Sequence, residues 1–257
     1  MNADVQFPRD ALATVVAAHE YAPFFVSLCG DHLHGWATPG SPFVLRGAHL
    51  IPLPDVLGLF PQIKTLRSSV DVVHQRVVLQ SYDLKLFLQF LVSKRGWVYE
   101  EAWSPLVVVE HPELETLRAL GQAALSRHQV YTYHRELGAE HMERYREWGR
   151  RDDLLHVMLA LLSGAHLLRT GEMIAHLPTL AALAELPLLA ELVAQHQHEQ
   201  VFVPTLRGDV MRILPVLDAA LDTAYACSPL PERPTNQLDL NAFLLRMRGI
   251  EDRRLEH

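Results

Sequence analysis

The 257-residue chain holds two cysteines, Cys29 and Cys227. That count excludes a disulfide scaffold as the organising device and fits a reducing cytoplasm. Long apolar runs are missing as well. The longest, 154–168, is broken by His156, Ser163, Gly164 and His166, so it reads as a buried helix, too short and too polar to span a bilayer. The opening residues 1–10 contain Asp4, Arg9 and Asp10 and no apolar core, so no secretory leader and no membrane partner are expected. Excess positive charge is lacking too. The formal net charge is −7, which removes the overall basic footprint of a nucleic-acid binder while leaving room for a local patch. Gly-x-Ser-x-Gly, Walker-type and dinucleotide glycine patterns are absent, as are internal repeats and low-complexity tracts.

What remains is an ordinary globular composition, 49% hydrophobic and 21% charged, enough for one large domain or two small ones. The chain is organised around residues 29–50. An apolar run, 24–29, reads as a buried strand. A polar turn between Gly30 and Gly35 follows, then a second turn at Thr38-Pro39-Gly40-Ser41-Pro42, then a return strand over 43–51. A strand, a glycine turn and a return strand offer exposed backbone N–H groups to an anion.

Around this hairpin the periodicity predicts a helix over 11–21 capped by Asp10, a helical turn over 55–60 capped by Asp55, and one or two strands in the valine-rich 69–79. Residues 82–92 have helical spacing, with Leu84, Phe87, Leu88 and Leu91 on one face. From Pro112 onward, leucine, alanine and charge replace the β-branched runs. Helices are expected over 113–126, 127–150 (one or two), 152–170 with Gly171 as its stop, 178–196 interrupted at Pro187, 205–227 broken near Pro215, and 239–247. The expected architecture is α+β: a sheet-containing unit over 1–111, then an all-α unit over 112–257.

Gly30-Asp31-His32-Leu33-His34-Gly35, Thr38-Pro39-Gly40 and Ser41-Pro42-Phe43-Val44-Leu45-Arg46-Gly47 match, without a gap, the frame Gly-Ser-x-x-(Tyr/His)-Gly, Thr-Pro-Asp and Ser-Asp-x-Asp-x-Arg-Gly. The stretch therefore resembles the nucleotidyltransferases of the DNA polymerase β superfamily, in particular the branch named for an RNA repair pathway. Residues 162–172 and 228–246 resemble further signatures of that branch. The resemblance implies an N-terminal polymerase-β-like domain with a mixed sheet, followed by helices. It implies magnesium-dependent transfer of a nucleoside monophosphate from a triphosphate, with a nucleotide or RNA as partner, and a candidate cleft at Gly30, Asp31, His32, His34, Gly35, Ser41 and Arg46.

The departures fall on the chemistry. Two-metal transfer needs hard oxygen ligands, and Asp-x-Asp alternation places two of them on one strand face. Here those positions are Pro42 and Val44, and the third aligns near Val78. Asp31 replaces the serine after the first glycine and sets a carboxylate where a phosphate belongs. No catalytic residue, metal ligand or cofactor is therefore assigned, and the chain reads as a divergent, catalytically impaired member. Two alternatives stay open: an active transferase using Asp71 or Asp83, and a transition-metal enzyme using Asp31, His32, His34 and His49. The other features have plainer readings. Cys29 is a buried hydrophobe. His196 and His198 with Glu199 lie on a solvated helix end, and His134 and His141 pack. Arg144, Arg146, Arg150 and Arg151, with Tyr145 and Trp148, form a salt-bridged helix face, and Arg246, Arg248, Arg253 and Arg254 a frayed, charged end. The protein partner is open.

Overall fold

Segments rich in Phe and Val form a five-stranded sheet, and Leu- and Ala-rich segments form helices, in a computed structural model that describes residues 7–60, 64–72, 75–93, 96–198 and 204–250. The sheet-bearing part runs α1 (Arg9–Ala17), β1 (Pro23–Cys29), α2 (Asp31–His34), β2 (Phe43–His49), α3 (Leu53–Leu57), β3 (Thr65–Val72), β4 (Gln75–Asp83), α4 (Leu84–Leu91), α5 (Trp97–Ala102) and β5 (Val107–Glu110). Then come α6 (Leu114–Ala124), α7 (Arg127–Trp148), α8 (Arg151–Thr170), α9 (Leu177–Leu183), α10 (Pro187–Gln197), α11 (Pro204–Ala226) and α12 (Gln237–Met247). The strand order is β3-β4-β2-β1-β5. β2 and β4 are parallel and the other neighbours antiparallel, so the sheet is mixed and the class α+β.

The pleat sends alternate residues to opposite faces. Leu28, Leu45, Val77 and Leu79 turn to one side, where Leu12 and Val16 of α1 cover them. The opposite face carries Cys29, Val44, Arg46 and Val78 and receives α5. The helical part is built on α8, of which 14 of 20 residues are buried. A helix apolar on all sides needs neighbours on all sides, and α7, α9, α10 and α11 supply them. One apolar core continues from Phe25 and Phe87 on the sheet side to Leu155 and Leu221 in the helices.

Several boundaries differ from the expectations. α1 begins at Arg9 after Pro8, with no side-chain cap, and ends at Ala17 rather than Tyr21. α3 begins at Leu53 after Pro52, so Asp55 sits inside its first turn instead of capping it. Tyr82 belongs to β4; Asp83 is the residue that starts α4, its carboxylate accepting from the Lys85 N–H at 3.0 Å. α7 is one helix, started by the Ser126 side chain and ended by Gly149 in the left-handed region. Pro187 separates two helices rather than bending one. Pro215 does not break α11: Leu214 and Leu217 beside it are buried in the bundle, and that packing outweighs the lost N–H.

Candidate functional site

At the end of β1 the chain turns through Gly30 at φ 64°, a left-handed value suited to glycine. The expected open turn is instead the four-residue helix α2, closed by Gly35 at φ 85°. Asp31 fastens it. Its carboxylate accepts from Trp36 Nε1 at 3.1 Å and from Ser41 Oγ at 2.7 Å. Ser41 Oγ in turn accepts the Thr38 N–H at 3.1 Å. The turn is thus satisfied by a negative charge of its own.

The register of the sheet places the three expected ligand positions. Val44 lies opposite Val78 in the parallel pair and opposite Cys29 in the antiparallel one. Pro42 lies just before β2, which begins at Phe43. A Cβ on Gly30 would stand 3.3 Å from Val44 Cγ2, so the valine fills the space over the turn. Val44 and Leu106 pack with the buried Cys29, Leu33 and Ala175; Ala175 comes from the segment joining α8 to α9. An apolar plug occupies the place where oxygen ligands are needed. These residues do not fit magnesium.

Asp71 and Asp83 do not replace the missing ligands. Asp83 pairs with His49 in the β2–β4 register, five residues beyond Val78, roughly 16 Å along the strand at about 3.3 Å per residue. It is bound there by Arg248 at 2.8 and 2.9 Å. Asp71 lies on β3 opposite Arg76, two strands out from β2, about 9–10 Å by strand spacing. The relocated-carboxylate reading built on these two acids is therefore corrected.

Beside the plug, under α5, the Arg46 guanidinium donates to Gln80 Oε1, and Gln80 donates to the Tyr82 hydroxyl. Two residues that the sequence had not singled out meet this face, Glu100 and Glu101. Glu101 is 5% exposed and its Oε2 has no partner among the described residues. Burial pushes its carboxyl well above the usual range and Glu100 adds to this, while Arg46 opposes. Burial, then Glu101 and Glu100, likewise push the Cys29 thiol well up, which leaves it a protonated core residue rather than a nucleophile. Burial also favours a neutral Glu100, but the His34 Nε2 hydrogen bond at 3.3 Å and the field of nearby histidines win, and its pKa lies below the usual value.

The four residues of the transition-metal reading diverge. Asp31 holds Trp36 and Ser41. His32 stacks on Phe43 at 4.7 Å between ring centres. His34 meets Glu100. His49 sits at the far end of β2, bonded to Ser81 Oγ at 2.6 Å and stacked on Tyr21. Among the described residues no group of three or more His, Cys, Asp or Glu side chains is placed to hold a metal ion. That reading is corrected as well, because the short helix α2 sends Asp31, His32 and His34 to different neighbours and the length of β2 carries His49 to the far end of the sheet. The structure gathers a different set of histidines. His156 of α8 stacks on His141 of α7 at 4.4 Å and meets Trp36 edge-on at 5.0 Å and His34 at 5.7 Å, while His141 Nδ1 lies 3.1 Å from Asp153 Oδ1. Residues so far apart in sequence left no local signal.

Two cavities flank α2. One, of about 310 Å³, is lined by His32, Glu100, Trp103, Glu172 and His176 among others. The second, of about 490 Å³, is lined by Asp31, Gly40, Ser41, Arg151, Asp152 and His196. The seven candidate cleft residues are therefore divided. Asp31 and Ser41 face one cavity and His32 the other. Gly30 and Gly35 frame the turn, His34 lies beside Trp36, and Arg46 stays on the sheet with Gln80. The first cavity carries two carboxylates, Glu100 and Glu172, and, among the described residues, no Lys or Arg, which disfavours a polyphosphate; in the second, Arg151 stands with Asp31 and Asp152.

The peripheral charges divide too. Arg144 pairs with Glu140, and Arg150 lies 5.1 Å from the centre of the Trp148 ring. His134 is fully packed, with Nδ1 2.8 Å from the Val130 carbonyl oxygen. Arg248 is not part of a frayed end, since its side chain is 5% exposed against Asp83. Glu199, Arg253 and Arg254 lie outside the described residues.

Residues 6–246 match the family described as RNA repair pathway DNA polymerase beta family. Among solved structures, a nucleotidyltransferase-like protein from Exiguobacterium sibiricum 255-15 is similar, with 12% identity over 95% of this chain and 81% of that one and a TM-score of 0.34. No curated protein matches.

Proposed function

We propose, for a chain that belongs to the RNA repair pathway DNA polymerase beta family, a role in binding without two-metal nucleotidyl transfer. One observation supports this reading: Val44 faces Val78 in the parallel register, and Val44 packs with Leu33, Leu106 and Ala175 in an apolar plug. The family's nucleotide or RNA remains the ligand class to test first, in the cavities beside α2, with residues 1–111 and 112–257 as the two units that enclose them. Glu100 and Glu172 in the first cavity favour a ligand bound there through its base or sugar over one held by its phosphates.

The test is calorimetric titration of the purified chain with each of the four ribonucleoside triphosphates, with and without magnesium. The expected result is no magnesium-dependent binding. A magnesium-dependent enthalpy, or release of pyrophosphate, would overturn the proposal.

A further inference from the structure

The sheet ends in two unlike edges. β5 is four residues long, whereas β3 is eight residues long and runs beside β4 from Thr65 to Val72 with no register shift. No described residue pairs with the outer side of β3. Alternate N–H and C=O groups of such a strand face outward and form a template for another strand. Natural edges are blunted by proline, charged side chains, bulges or brevity; β3 has no proline or register shift and is not short. Its two charges, Arg67 and Asp71, are both exposed and have no ion-pair partner among the described residues. Asp71 stands opposite Arg76, but the Arg76 Nε donates instead to Ser69 Oγ at 2.9 Å.

We propose that β3 pairs antiparallel with β3 of a second copy of this chain about a two-fold axis at Ser69. The strand is self-complementary in that register. Ser69 meets its own counterpart, Arg67 faces Asp71 twice, Leu66 faces Val72 and Ser68 faces Val70. A two-fold contact requires this reciprocity, because residue i meets j wherever j meets i. The pleat adds a second match. Opposed residues share a face, so Leu66, Ser68, Val70 and Val72 of both copies lie on the α1 side. There a groove of about 510 Å³, lined by Thr14, Val15, Ala18, Leu66 and Val70, runs beneath the edge. Val70, 42% exposed in the single chain, lies in the dimer beside the partner's Ser68, over that groove. A continuous ten-stranded sheet results, five strands from each copy.

The test is the solution mass of the full chain by light scattering across a dilution series, with β3 amide exchange measured in parallel. The expected mass is twice 29.1 kDa at high concentration, with protection of the β3 amides that is lost on dilution. Arg67→Glu, on an exposed position opposite Gln80, sets like charges face to face twice and weakens dimerisation on the order of tenfold or more. Arg67→Glu combined with Asp71→Arg restores the opposite charges and the doubled mass. A single-chain mass at all concentrations overturns the proposal. So does a doubled mass indifferent to Arg67→Glu, which places the contact elsewhere, or a complex in which a different polypeptide protects β3. Circular dichroism of each variant separates loss of pairing from loss of fold.

Discussion

At one end of the parallel β2–β4 pair Val44 faces Val78; at the other His49 faces Asp83. The two ends share a sheet and a register, yet one carries two half-buried valines and the other a fully buried carboxylate. Asp83 is 0% exposed and is held by Arg248, by the Lys85 N–H and by the Ile51 N–H. A buried carboxylate persists where the chain itself supplies the compensating cation and donors. At the Val44 end a carboxylate would need a divalent ion, and the chain places aliphatic side chains there instead. The acid on β4 is thus structural, and the end where catalysis would be sought is apolar.

The contrast breaks most strongly at Arg248. Arg248→Ala leaves Asp83 buried and unpaired, and the expected loss is about 3–5 kcal/mol, roughly 10 °C in melting temperature for a chain of this size. Asp83→Leu combined with Arg248→Met should recover most of it in the same melt. At the other end, Val44→Asp puts a carboxylate into the plug and should destabilise by about 1–3 kcal/mol. Millimolar magnesium should not restore the melting temperature, and restoration would reveal a site still shaped for metal. Asp31→Ser reinstates the family residue and removes the acceptor of two side-chain hydrogen bonds. About 1 kcal/mol of stability should go, with triphosphate binding by calorimetry unchanged.

The smallest effect is on pH dependence. Burial first, then His19, lowers the His49 pKa from 6.5 to about 4, with Glu20 opposing. The unfolded chain therefore takes up the proton first. This contribution is complete above pH 6.5 and declines as pH falls from 6.5 toward 4. His49→Gln should flatten that part of a denaturant-midpoint profile.

Much of this is legible in the sequence. The apolar runs from Phe24 and from Phe43 read as strands, Gly30 and Gly35 bracket the turn, and Gly171 ends α8, because these signals are local. Elements whose ends depend on distant packing were misplaced. Asp83 caps α4 only because Tyr82 is held in β4, and Pro215 stays helical only because the bundle retains its neighbours. The missing ligands at Pro42 and Val44 were readable one position at a time. What replaced them was not: Leu33, Leu106 and Ala175 converge on Val44 from three separate segments.

The sequence by itself determined the α+β class, the glycines at both ends of the turn and the non-acidic residues Pro42, Val44 and Val78, since periodicity, glycine and side-chain chemistry act over a few residues. Only the tertiary structure decided that Asp83 belongs to Arg248, that Glu100 meets His34, that the four candidate metal ligands point apart, and that β3 lies at an open edge. Those outcomes depend on register and on which helix lands on which face, and both are settled by burial summed over the whole chain.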